Sequence, residues 1–124
     1  MKLQFFHVED LCRFIDILVE KQPEQHIFNV GNKENISIRD WVTLCYQAAG
    51  KQPEFVEVPA EEEQRNYFSF YNYEYALDVR KQLALMKETK PLADGLKEAY
   101  DWYVANQDKV NKKPYITYIE EHLT

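Results

Sequence analysis

The sequence predicts an α/β fold with a few strands flanked by helices, on two kinds of observation. Short apolar runs at Leu3–Val8, His26–Val30 and Phe55–Pro59 have strand length and finish in turn residues. Between and after them lie segments whose apolar residues recur at helical spacing. The order strand, helix, strand, helix, strand, then helices, is that of part of an α/β domain. So few strands cannot close a sheet, and a small sheet leaves edges open to pairing. We therefore expect one domain or fragment over residues 1–124 whose sheet is completed elsewhere.

Each element follows from local chemistry. After the Leu3–Val8 run, Glu9 and Asp10 supply acceptors and negative charge where a helix N-terminus favours both. From Leu11 onward, Phe14, Ile15, Leu18 and Val19 fall on one helical face, and Lys21-Gln22-Pro23 ends it. His26–Val30 closes on Gly31 and Asn32, which tolerate positive φ. Ser37 is a helix cap, Ile38-Arg39-Asp40 the first turn, and Trp41, Leu44, Cys45 and Ala48 the buried stripe. Gly50 stands as the C-terminal stop.

Past Phe55–Pro59 come Glu61, Glu62 and Glu63, Arg65, and an aromatic cluster from Tyr67 to Tyr75. This stretch reads as a loop with a short extended piece. Leu77–Met86 is a short helix with Asp78 near its start. Pro91 suits the first position of the last long helix, whose apolar face is Leu92, Leu96, Ala99, Tyr100 and Tyr103. Trp41 and Trp102 lie on helical stripes and are expected in the core. Lys112-Lys113-Pro114 reads as a linker, and Tyr115–Leu123 as a final half-buried helix.

Composition narrows the function. With 124 residues and 45% hydrophobic content, the chain can bury one modest core. A net charge of −6 argues against nucleic acid, which needs a basic face. No apolar run approaches the roughly 20 residues of a membrane span. No leader pattern stands at the start, so a cytoplasmic location is expected. Phe5 and Phe6 follow Met1 so closely that a truncation is expected. Cys12 and Cys45 have no redox or metal spacing and read as buried free thiols. His7, His26 and His122 are scattered, so no metal site is expected.

Five motifs in order carry a resemblance. Phe6-His7-Val8-x-Asp10-Leu11, Phe28-Asn29-Val30-Gly31 and the Ile36-Ser37 helix start ending at Gly50-Lys51 come first. Leu77-Asp78-Val79-Arg80-Lys81 and Pro91-Leu92-x-x-Gly95-Leu96-x-Glu98-x-x-x-Trp102-Tyr103 follow. Together they resemble the C-terminal, substrate-side part of extended short-chain dehydrogenase/reductases, the NAD-dependent epimerase/dehydratase family. The resemblance implies a partial Rossmann-type fold, an NAD(P) cofactor and a nucleotide-sugar substrate in a full-length parent. Where that family has phosphate-binding arginines, this chain has Leu3 and Ala60, which implies an atypical branch.

The family's cofactor and catalytic residues have no counterpart here. The three glycines, Gly31, Gly50 and Gly95, are too far apart for one phosphate-binding turn. No tyrosine is followed four residues later by lysine, so the acid/base pair is missing. The chain alone is expected to bind no cofactor, to carry no catalytic residue and to have no redox activity. Substrate-side candidates are His7 and Asp10 at the first turn, Arg65, and Tyr67 and Tyr71 in the aromatic cluster. Each has a plainer reading. His7 would be a core histidine, Asp10 a helix cap bordering the cleft, Arg65 a partner for Glu61 or Glu62, and the tyrosines loop packing. Two other functions compete. One is a non-catalytic RNA-binding relative, whose aromatic cluster would stack bases. The other is a domain forming a homodimer through its exposed sheet edge.

Overall fold

The computed structural model describes residues 2–55, 74, 76–111 and 121. Along them run β1 (Lys2–Leu3), α1 (Val8–Lys21), β2 (Ile36–Ser37), α2 (Ile38–Ala48), α3 (Arg80–Leu85) and α4 (Leu92–Ala105). A 3-10 turn at Gln107–Lys109 follows α4. β1 and β2 pair antiparallel, Lys2 opposite Ser37 and Leu3 opposite Ile36, and Lys2 also bridges in parallel to Glu74. The described architecture is mixed α/β but rich in helix, with a two-stranded sheet. α2 packs on α4.

The expected strands are largely replaced by another device. Of Leu3–Val8 only Leu3 is in a strand, and His26–Val30 forms none. Of Phe55–Pro59 only Phe55 lies among the described residues. Side-chain amides pair with the backbone where a neighbouring strand would. Gln82, fully buried, accepts the Gly31 N–H at 2.8 Å and donates to the Gly31 carbonyl at 3.1 Å. Gln4 does the same for Leu77, accepting its N–H at 2.8 Å, and also donates to the Asn32 carbonyl at 2.8 Å. One backbone bond, from Asn32 N–H to the Phe5 carbonyl, completes the join. Buried peptide groups must find partners, and glutamine offers a donor and an acceptor in one plane.

Helix ends follow the expected chemistry, with one shift. α2 begins at a Ser37 cap, whose hydroxyl accepts the Asp40 N–H at 3.1 Å. It ends in a Schellman arrangement, Gly50 N–H to Gln47 O and Lys51 N–H to Tyr46 O, with Gly50 at φ 69°. α1 starts three residues before Leu11, and its cap is His7, whose Nδ1 accepts the Glu9 N–H at 3.3 Å. Asp10 is thus in the first turn and does not cap. α1 closes on Gln22 at φ 43°, a left-handed residue just before Pro23. The expected Leu77–Met86 helix is confined to α3, and Asp78 accepts the Arg80 N–H at 3.0 Å just ahead of it.

The core is small. Phe14, Val79 and Met86 are its buried apolar side chains among the described residues, and Phe14 meets Phe28 edge-on at 5.5 Å. A second contact stacks Phe5 on Trp41 at 5.4 Å, so Trp41 is half-buried, as are Leu44, Cys45 and Ala48 of its stripe. Three expectations are corrected. Trp102 and Tyr103 are exposed, because α4 meets α2 and leaves its C-terminal turns uncovered by described residues. Cys12 is exposed, so the expectation of two buried thiols holds for neither fully. Leu11, Ile15 and Val19 also face outward, since α1 turns Phe14 and Asp10 inward instead.

Candidate ligand cleft

The first turn of α1, the loop after Gly31 and the approach to α4 converge on one side of the molecule. Asp10 ties two of them together. Its carboxylate is buried; Oδ2 accepts the Lys90 N–H at 2.6 Å and Oδ1 pairs with Arg13 Nη2 at 3.0 Å. Arg13 also donates to the Glu88 carbonyl at 2.8 Å. The first turn of α1 therefore fixes where α4 begins.

Outside this tie lies a charged cluster. Lys90 Nζ bridges Glu9 Oε2 at 2.5 Å and Glu98 Oε2 at 2.6 Å. His7 Nε2 stands 3.6 Å from Glu98 Oε2. Hydrogen bonding to Lys90, then its charge, holds the Glu9 carboxyl below its ordinary pKa, and the bonds to Glu9 and Glu98 raise that of Lys90. His7, Glu9 and Glu98 offer ligand atoms within 4.8 Å of one another, but the Lys90 ammonium sits between the carboxylates where a cation would go. His7 also fixes the helix facing it: a Cβ on Gly95 would lie 2.9 Å from His7 Cδ2.

Two adjoining hollows open beside the cluster. The smaller, about 140 Å³, is bounded by Phe5, Phe6, His7, Lys90 and Gly95. The larger, about 710 Å³, runs between residues 32–36 and 87–92, with Phe5 and Leu44 on its wall. Asn32 and Asn35 border the larger one; the Oδ1 of each is buried within the protein, out of a ligand's reach, and has no hydrogen-bond partner. Along its wall Lys33, Lys87 and Lys90 stand against Glu34 and Glu88, and Lys90 is paired with Glu9 and Glu98 outside it. Its chemistry is that of a partly apolar hollow with a polar, lysine-bearing rim.

The first turns of α1, α2 and α4 do not suit the pyrophosphate of a dinucleotide. Pyrophosphate binds free N–H groups at a helix N-terminus with no acid nearby. Here α1 opens with Glu9 and Asp10, α2 with Asp40 and α4 with Pro91 and Asp94. Each would repel the phosphates.

Of the residues picked out from the sequence, His7 lines the smaller hollow and Asp10 stands behind its wall as the tie to Lys90. Arg65, Tyr67 and Tyr71 lie outside the described residues. Lys90, Glu98, Asn32 and Asn35 were not anticipated. Lys90 and Glu98 join His7 from more than 80 positions away, which no local pattern reveals. Asn32 and Asn35 had a signal, two amides in the loop between Gly31 and the Ser37 cap.

The chain is similar to a trifunctional UDP-glucose 4,6-dehydratase/UDP-4-keto-6-deoxy-D-glucose 3,5-epimerase/UDP-4-keto-L-rhamnose-reductase of Arabidopsis thaliana. The two are 29% identical over 109 residues, which cover 84% of this chain. The match spans 15% of that protein's length. No family model matches the chain, and no solved structure does. No described helix is long and apolar enough to cross a membrane.

Proposed function

We propose that this chain is the substrate-side part of an NAD-dependent epimerase/dehydratase acting on a nucleotide sugar. It forms one wall of the substrate cleft, and the cofactor and the acid/base residues come from outside these 124 residues. The observation that carries this reading is the similarity to the dehydratase/epimerase/reductase over most of the chain. The site is compatible with it. The hollow between residues 32–36 and 87–92 combines polar residues, Asn32 and Asn35 among them, with an apolar wall. Phe5 supplies an apolar surface at its edge.

The acids in the first turns of α1, α2 and α4 disfavour a pyrophosphate there, and no step is assigned here to NAD(P). The chain's own part is to bind and orient. His7 and Asp10 hold the turn at the start of α1, and Lys90, held charged by Glu9 and Glu98, sets the entrance to α4. Calorimetry of the chain with NAD⁺ at millimolar concentration tests the division of labour. No heat of binding is expected. Stoichiometric binding of NAD⁺ would contradict it.

A further inference from the structure

α1 is apolar over far more of its circumference than the described body of the protein covers. At about 100° per residue, Phe14, Leu18, Leu11, Ile15, Val8 and Val19 form one continuous arc. Exposure along that arc rises steadily, from 1% at Phe14 to 38% at Leu11, 49% at Ile15, 65% at Val8 and 69% at Val19. The exposed thiol of Cys12 borders the far end. The core thus continues outward along α1, and no second layer covers that side among the described residues.

The next positions around the helix are acidic. Asp16, Glu9 and Glu20 follow Cys12 in angle and border the exposed stripe along one edge. Glu9 is engaged by Lys90, but Asp16 and Glu20 have no ion-pair partner among the described residues. Arg13, the basic residue beyond them, is committed to Asp10 and Glu88. This asymmetry disfavours an antiparallel second copy and favours a basic edge over the stripe. A second copy packed antiparallel, with Val8 against Val19 and Cys12 against Ile15, would bring the two acidic edges to the same side, where they repel.

We propose that the exposed face of α1 docks an amphipathic helix of a partner, with an apolar stripe of its own and lysine or arginine along one edge. The spacing of Val8, Cys12, Ile15 and Val19, alternately four and three residues apart, is the repeat of a two-helix seam. The apolar residues of the partner helix extend the core past Leu11 and Ile15, and its basic edge meets Asp16 and Glu20. This inference goes beyond the proposed function and does not depend on the ligand of the cleft.

Cys12 reports on the seam directly. The chain is treated with a maleimide, and modification of Cys12 and Cys45 is followed separately by mass spectrometry. Burial raises the Cys45 thiol pKa, so it reacts slowly and serves as the internal reference. Two synthetic peptides of about three heptads are the probes, both with Leu at the seam, one with Lys and one with Glu on the flanks. The Lys peptide is expected to slow Cys12 modification about tenfold, the Glu peptide to leave it unchanged, and Ile15→Asp to cancel the slowing. Circular dichroism checks that Ile15→Asp keeps the fold. Equal protection by both peptides, or by neither, overturns the proposal. So does a Cys12 already protected without peptide, and sedimentation then tells a second copy from the chain's own residues.

Discussion

Asp10 accepts the backbone N–H of Lys90 at 2.6 Å, although the two residues lie 80 positions apart. This bond joins the start of α1 to the start of α4, and Arg13 doubles it by reaching both Asp10 and the Glu88 carbonyl. An aspartate that reads in sequence as a helix cap is a buried tie between two distant elements. Removing it leaves the part-buried Lys90 N–H without its acceptor and Arg13 with the Glu88 carbonyl alone. Asp10→Ala is expected to cost about 2–4 kcal/mol and Asp10→Asn about 1–2 kcal/mol, measured by urea denaturation.

Gln82 has no exposed surface and makes both of its hydrogen bonds to Gly31. A leucine there would fill similar space but leave a buried N–H and carbonyl unpaired. Gln82→Leu should therefore lose about 2–4 kcal/mol in the same measurement. Equal stability of the variant would mean that water replaces the amide.

Gly31 is tightly opposed to Gln4, whose Cδ lies 2.8 Å from the place a Cβ would take. That amide is held by Leu77 and Asn32 and cannot simply swing aside. Gly31→Ala is expected to cost about 1–3 kcal/mol. In a Gln4→Ala background most of that penalty should vanish, and a double-mutant cycle reads the coupling.

The pH dependence follows from two ion-pair groups. Arg80, first through its side-chain hydrogen bonds, holds the Asp78 carboxyl at about 2, below its ordinary 3.8. Lys90 holds Glu9 below its ordinary value in the same way. A depressed carboxyl stabilises the fold above its unfolded pKa, and the contribution fades as pH falls through the folded value. For Asp78 that window runs from 3.8 down to about 2. Lys90 is raised above 10.5, so its contribution is full below that pH and is lost as pH climbs through the raised value. Thermal melts should show the loss on both sides, and Lys90→Met should remove the alkaline one.

Local chemistry made some of this structure legible in advance. The Ser37 cap and the Gly50 stop act within a few residues, and both stand where the sequence puts them. The strands did not follow, because an apolar run shows only that a segment can pair. It does not show that Gln4 and Gln82 will do the pairing with side chains. Gln4, polar within an apolar run, was the available clue. Only part of the face expected for α1 is covered, Phe14 and Leu18 but not Ile15 and Val19. Its apolar arc is wider than the described body, and periodicity alone cannot say which part is covered. At the site, His7 was visible as a turn residue, whereas Lys90 and Glu98 reach it only through the packing of α4.

The central claim, that residues 32–36 and 87–92 form a wall for a nucleotide sugar, is tested most directly by nuclear magnetic resonance. A ¹⁵N-labelled sample is titrated with UDP-glucose to millimolar concentration, with NAD⁺ as the comparison. The account predicts saturable shifts in the backbone amides of Asn32–Ile36 and Lys87–Lys90 with the sugar nucleotide, and none there with NAD⁺. Absence of shifts with UDP-glucose, or the same shifts with NAD⁺, would contradict it.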